Sequence, residues 1–312
     1  MGSRFTSWPG ILLVLAVLAV LVPALPRGVA AQDAAPPKRI HEAYKAELAA
    51  LAAAQRKDGS WAAEGDYTSP GMTALALVAL THSGAHHKLI NPGDPAPAAV
   101  QRDLDHLAKL QDPRGRLRGA RLEEELLGTL AIATASLNSG DKALDPMVER
   151  ALERTLALRR KDGSFGSRRA NILGAFALQL SFIVTNAKRR EALDILGDVL
   201  GRDASALPER TSALLSCGVE RDDPRVRADL EHAFKIPADL DPADKKWDPV
   251  RFWLSCLAVA NAADPGSAAE RDFRKAVAAV VDAKPPPGLK ERLFRALGLR
   301  VAFAYEFALV NK

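Results

Sequence analysis

No stretch of the chain alternates apolar and polar residues for long enough to make a strand, so the fold has to be built from helices. A basic stripe is missing as well. The 43 Lys and Arg interleave with 38 Asp and Glu, as in Glu149-Arg150, Glu153-Arg154 and Glu270-Arg271-Asp272, which reads as solvated helix faces of mixed charge. The denser spots, Arg114 to Arg121 and Arg159-Arg160-Lys161 with Arg168-Arg169, are short, and nucleic acid is not expected as a partner. Cysteine is scarce: Cys217 and Cys256 are the only two, in the matching contexts Leu215-Ser216-Cys217 and Leu254-Ser255-Cys256. In an oxidising compartment they could bridge neighbouring helices; the alternative is two small buried apolar side chains. Aromatics make up 5% of the chain.

Long apolar runs are also lacking, apart from Ile11 to Val22. That run falls short of the roughly 20 residues a membrane-spanning helix needs. Arg4 precedes it, Pro23 and Pro26 break it, and Val29-Ala30-Ala31 supplies small residues ahead of Gln32. This is the layout of a secretory signal peptide over 1–31, with cleavage after Ala31. No Cys follows the run, which argues against a lipoprotein. The expected product is exported, periplasmic or extracellular, with no stable membrane span, a flexible segment over 32–40 and one repeat domain over 41–312. Losing Arg4 and Arg27 leaves 41 basic residues against 38 acidic ones.

What the chain does have is a repeat. Gln55-Arg56-Lys57-Asp58-Gly59-Ser60-Trp61 returns as Arg159-Arg160-Lys161-Asp162-Gly163-Ser164-Phe165, and more weakly as Gln111-Asp112-Pro113-Arg114-Gly115-Arg116-Leu117. Each copy lies between an amphipathic helical stretch and a nearly all-apolar one. Tyr44, Leu48, Leu51 and Ala52 share one face of the first helix, whereas Met72, Leu75, Leu77, Val78 and Leu80 leave the second apolar all round. The pairing continues through Val100–Leu110 and Leu122–Leu137, Met147–Leu158 and Ile172–Val184, and Ala192–Leu200 and Thr211–Cys217. Val226–Phe234 with Val250–Ala260, and Phe273–Val281 with Leu289–Val310, complete six hairpins. Asp145-Pro146 and Asp223-Pro224 read as helix starts, and Gly84, Gly140 and Gly218 as helix ends. Six polar outer helices around six apolar inner ones predict an all-α fold closed into an α/α toroid.

The heptapeptide at 55–61 resembles the Gln-Trp repeat of the squalene-hopene and oxidosqualene cyclases and the related protein prenyltransferase β subunits. The resemblance implies the same toroid. It also implies a structural role for Gln55, Asp58, Gly59, Trp61, Gln111, Gly115, Asp162, Gly163 and Phe165, the Gln amide and the aromatic tying an outer helix to the next inner helix. The family's chemistry does not carry over. Its Asp-x-Asp-Asp acid has no counterpart, since Glu220-Arg221-Asp222-Asp223 reads as a capping loop before Pro224. An aromatic cavity wall looks too sparse here, and Trp247, Phe252 and Trp253 fit ordinary core packing. The prenyltransferase zinc set needs an Asp two residues before a Cys, where this chain has Leu215 and Leu254. His82, His86 and His87 read as loop histidines around Gly84. No catalytic residue, metal or cofactor is expected.

A toroid of parallel inner helices gathers their starts at one rim. Asp66 and Tyr67, Arg168, Arg169 and Asn171, and Trp247, Asp248 and Arg251 precede or open three of them, and are the candidate binding residues. The reading is an exported, noncatalytic binding or structural module for a protein, glycan or apolar ligand. The alternative is a divergent terpenoid cyclase-like or carbohydrate-active toroid enzyme that uses these rim residues. N-terminal sequencing of protein recovered from an exporting host is expected to start at Gln32; a chain that retains Ile11 to Val22 contradicts the leader.

Overall fold

The computed structural model describes residues 37–82, 85–89, 94–186, 190–202, 208–233, 249–262 and 266–310. Among them run α1 (Pro37–Ala54), α2 (Ser69–His82), α3 (Ala96–Leu110), α4 (Leu122–Ser139), α5 (Asp145–Ala157) and α6 (Arg168–Thr185). Then follow α7 (Arg190–Gly201), α8 (Pro208–Ser216), α9 (Pro224–Ala233), α10 (Pro249–Ala262), α11 (Ala268–Asp282) and α12 (Leu289–Val310). No strand occurs among the described residues, only the isolated bridges Glu64 with Tyr67 and Gln111 with Leu117.

The even-numbered helices pack in the order α2, α4, α6, α8, α10, α12, and α12 packs back onto α2. The odd-numbered helices cover the outside, so the fold is an α/α toroid. Hydrophobic patterning decides which helix goes where. In α2 every residue from Gly71 to Thr81 is buried, as a helix without a polar face requires. In α3 burial is confined to positions such as Ala96, Ala99, Val100, Leu104 and Leu107, spaced three or four apart, and the rest faces water. Phe252, Trp253 and Phe294 are core residues, with the Trp253 and Phe294 rings 5.7 Å apart.

Two expectations need correction. Residues 37–40, expected to be flexible, open α1 instead, because Ile40 reaches the core and is 1% exposed. Asp145 does not cap α5; it lies inside the first turn, and Asp141 caps the short 3-10 turn ahead of it. Asp223 does cap, accepting from the Arg225 amide at 2.8 Å. Cys217 and Cys256 are free and buried rather than bridged, and burial pushes the Cys217 thiol up to about 12. The leader and Gly84 lie outside the described residues, and among those residues no helix is long and apolar enough to cross a membrane.

The glycine turn packs against the next outer helix so closely that a Cβ on Gly59 would stand 2.1 Å from the Arg102 carbonyl oxygen. On Gly115 it would stand 2.0 Å from that of Arg150. Both glycines also have positive φ, so no other residue fits. The Gln55 amide donates to the Ala99 carbonyl (3.1 Å) and accepts from Arg102 Nε (2.8 Å). Gln111 repeats this with the Met147 carbonyl (3.0 Å) and Arg150 Nε (3.1 Å). The Gln therefore ties one outer helix to the next outer helix, not to an inner one as the family resemblance implied. Arg159, in the third copy, keeps a bond to the Gly163 carbonyl at 3.3 Å. Asp58 and Asp162 hold the turns by accepting from the Ser60 and Ser164 amides, each at 3.0 Å.

The aromatic position makes the inner-helix contact. Trp61 is fully buried, its amide meets Thr73 Oγ1 at 3.3 Å, and its Nε1 donates to Asp103 Oδ1 at 2.7 Å. Gln55 Nε2 donates to the same oxygen at 2.7 Å, while Asp103 Oδ2 is buried with no hydrogen-bond partner. Burial raises the Asp103 carboxyl well above its usual range despite the bonds from Trp61 and Gln55. Leu117 and Phe165, whose side chains carry no N–H, stand in the Trp position of the other copies.

Ring closure rests on polar contacts between the first hairpin and α12. Glu47 of α1 and Arg295 of α12 form an ion pair with both side chains at most 3% exposed, and Arg292 Nε reaches the other Glu47 oxygen at 2.7 Å. Arg295 also donates to the Val280 carbonyl at 2.7 Å. Glu64 accepts from the Leu289 and Lys290 amides (3.1 and 2.8 Å), capping α12 from the first hairpin. At the other end Arg300 Nε donates to the His82 carbonyl at 2.8 Å, which closes the last turn of α2.

Glu47→Ala leaves the Arg295 charge buried and unpaired, and is expected to cost about 3–5 kcal/mol in urea unfolding. Arg39→Ala, at the exposed pair with Asp282, is expected to cost less than about 1 kcal/mol. Equal costs would contradict the assignment. A raised folded-state pKa means that the stability Asp103 contributes is present in acid and lost as pH rises through that value. Asp103→Asn should therefore gain on the wild type in unfolding midpoint from pH 4 to pH 8; a constant difference would count against a protonated Asp103.

Candidate functional site

The turns ahead of α2, α4 and α6 enclose a cleft of about 400 Å³ at one rim of the ring. Asp66 and Tyr67 come from the first turn, Arg121, Glu123 and Glu124 from the second, and Arg160, Ser167 and Arg169 from the third. The start of α12 adjoins it, with Lys290 Nζ 3.6 Å from Asp66 Oδ1. One rim thus collects at least four inner-helix starts.

The run Glu123-Glu124-Glu125 shows how helix geometry distributes charge. Successive residues lie 100° apart, so the three carboxylates leave in different directions. Glu124 is buried and accepts from the Thr68 amide (2.6 Å), Thr68 Oγ1 (2.8 Å) and the Arg121 amide (2.7 Å), capping α2 from α4 and its own helix besides. Glu125 pairs with Arg154 at 2.7 Å on the outer layer. Glu123 reaches the third turn across the cleft, bonded to Ser167 Oγ (2.8 Å) and Arg169 Nε (3.3 Å).

Arg169 is the centre of the site. Its Nη1 lies 3.2 Å from Asp66 Oδ2, and its guanidinium sits over the Tyr67 ring at 5.1 Å from the centroid. Partial burial works to raise the Asp66 carboxyl, but a backbone hydrogen bond and the Arg169 and Lys290 charges outweigh it and hold the group below its usual range. Arg121 Nη1 donates to the Asp66 carbonyl at 3.0 Å.

Of the candidate residues, the structure brings together Asp66, Tyr67 and Arg169. Arg168 is exposed and does not line the cleft. Asn171 turns away and accepts from the Phe165 amide at 2.7 Å, so its work is structural. Arg251 opens α10, but its side chain, like Trp247 and Asp248, lies outside the described residues. Arg121, Glu123, Arg160, Ser167 and Lys290 were not foreseen. The sequence signal for them is position alone, since each lies in or beside the turn before an inner helix.

The histidines go to separate partners. Burial, opposed by a 2.8 Å bond to the Val78 carbonyl, pushes His82 down to about 4. His87 Nε2 pairs with Asp141 at 2.7 Å. Among the described residues no group of three His, Cys, Asp or Glu could hold a metal ion.

No family model matches the chain. A stretch of 69 residues is 39% identical to drimenyl diphosphate synthase of Streptantibioticus cattleyicolor, over 22% of this chain and 11% of that enzyme. The match therefore spans about a tenth of the synthase. Among solved structures the chain is similar to the alpha-1,6-mannanase GH76A of Salegentibacter sp. HEL1_6, an inactive variant with two aspartates replaced by asparagine, in complex with alpha-1,6-mannotriose. The TM-score is 0.59 at 9% identity, over 87% of this chain and 99% of that one, a likeness of fold.

If Arg169 organises the cleft, Arg169→Ala should release Asp66 and Glu123 from it while barely changing stability, within about 1 kcal/mol for a partly exposed pair. The Asp66 carboxyl, followed by NMR titration, should then move up; an unmoved titration would show that Arg169 does not hold it.

Proposed function

We propose that the chain is an exported glycan-binding toroid that takes a sugar chain in the rim cleft without cleaving it. The observation that carries this reading is the cleft itself: charged and hydroxyl side chains from three successive repeats line it, around one tyrosine. Its size falls in the roughly 300–1,000 Å³ range of ligand sites, and its wall joins charged side chains to the apolar surface of Tyr67, Leu122 and Phe165, as a sugar with polar edges and apolar faces requires. The mannanase of similar fold binds alpha-1,6-mannotriose, which supports a glycan as the ligand class.

Two observations speak for binding over turnover. A glycosidase needs one carboxylic acid with a raised pKa to protonate the leaving group, and Asp66, held below its usual range by Arg169 and Lys290, does not suit that role. A terpenoid cyclase needs an open cavity along its inner helices, whereas α2 is buried on every side and the Tyr67 face is covered by Arg169. Cleavage is the second reading, because Asp66 and Glu123 meet across one guanidinium and so place two carboxylates in one cleft.

Titration calorimetry of the purified chain with neutral mannooligosaccharides and acidic oligosaccharides tests the proposal. At least one class should bind, and Arg169→Ala should weaken that binding at least tenfold with no reducing ends released. Absence of binding to both classes, or binding indifferent to Arg169→Ala, overturns the site; released reducing ends would select the second reading.

A further inference from the structure

We propose that the cleft selects anionic sugars, holding a uronate or sulfate group between Arg121 and Arg160. This deepens the glycan reading above and rests on it. The cations and anions of the wall are unequally paired.

Each carboxylate of the cleft already has its partners. Asp66 uses one oxygen on Arg169 and the other on Lys290, at 3.2 and 3.6 Å. Glu123 gives one oxygen to Ser167 and the other to Arg169. Glu124 is enclosed by two amides and the Thr68 hydroxyl. Asp66 and Glu123 are therefore already paired with cations of the protein.

Arg121 and Arg160 are not so paired among the described residues. A guanidinium carries five N–H donors in a planar fork. Of the Arg121 donors, one reaches the Asp66 carbonyl. Arg160 lies flat on the turn backbone, so that a Cβ on Gly166 would stand 2.2 Å from its Nη2, and its guanidinium makes no hydrogen bond among the described residues. Asp162, two residues on, feels the Arg160 charge but is bonded to the Ser164 amide rather than to the guanidinium. Two exposed forked cations that form no ion pair among the described residues, set in one cleft, fit a planar carboxylate or a sulfate bound through two oxygens. The starts of α4 and α6 add the positive ends of two helix dipoles.

The test compares oligogalacturonate, a sulfated oligosaccharide and a neutral oligosaccharide of equal length by calorimetry at low and physiological salt. Arg121→Gln and Arg160→Gln are assayed beside the wild type, and their melting temperatures are checked for an intact fold. The expected result is at least tenfold tighter binding of an anionic ligand, lost steeply with salt and reduced at least fivefold by each variant. Preference for the uronate would identify a carboxylate as the bound group, and preference for the sulfated chain a sulfate. Binding of the neutral ligand at equal strength overturns the anionic selection and leaves the glycan reading standing; binding of none of the three overturns both. Anionic binding unchanged in both variants would place the recognition elsewhere.

Discussion

The buried ion pair between Glu47 and Arg295 is the contact on which the ring depends. Six hairpins stacked in a line would leave the apolar flanks of α2 and α12 in water; only closure covers both. Closing by apolar contact alone would tolerate slippage of one helix along the other. A buried charge does not, because a displaced Arg295 would lose Glu47 and remain desolvated. The pair therefore fixes register as well as contact, and Glu64 at the start of α12 and Arg300 at the end of α2 hold the same register at the two rims.

Capping across helices is the device that turns the ring into a site. Glu124 of α4 caps α2, and Glu64 of the first hairpin caps α12, so the helix starts are held together at one rim. The glycine turns do the corresponding work on the outer layer, where Gln55 and Gln111 bind successive outer helices in the same way. Side chains left over from these duties, Asp66, Glu123, Arg121, Arg160 and Arg169, line the cleft. Its chemistry is set by what the capping does not use.

The hairpins were legible because an amphipathic helix alternates with a more apolar one, most plainly at α3 and α2. The glycine turns were legible for a similar reason: positive φ beside a neighbouring backbone admits little else. The division of labour among adjacent residues was not. Arg168 and Arg169 differ by one residue in sequence, yet helix phase sends only Arg169 to the cleft. Glu123, Glu124 and Glu125 look alike and do three different things. Arg121 and Lys290 find their partners in Asp66, 55 or more positions away, a distance over which no local pattern speaks. The Asp103 side chain was invisible for the same reason, since it answers an indole N–H 42 positions away that only one copy of the turn possesses.

Native-state hydrogen exchange on the terminal hairpins tests the closed ring most directly. Closure predicts that amides of α1, α2, α11 and α12 exchange with the same opening free energy as those of α4, because the first and last hairpins unfold with the body. Lower protection in the terminal hairpins, with the middle still fully protected, is the behaviour of a linear array fraying from its ends and would contradict the account.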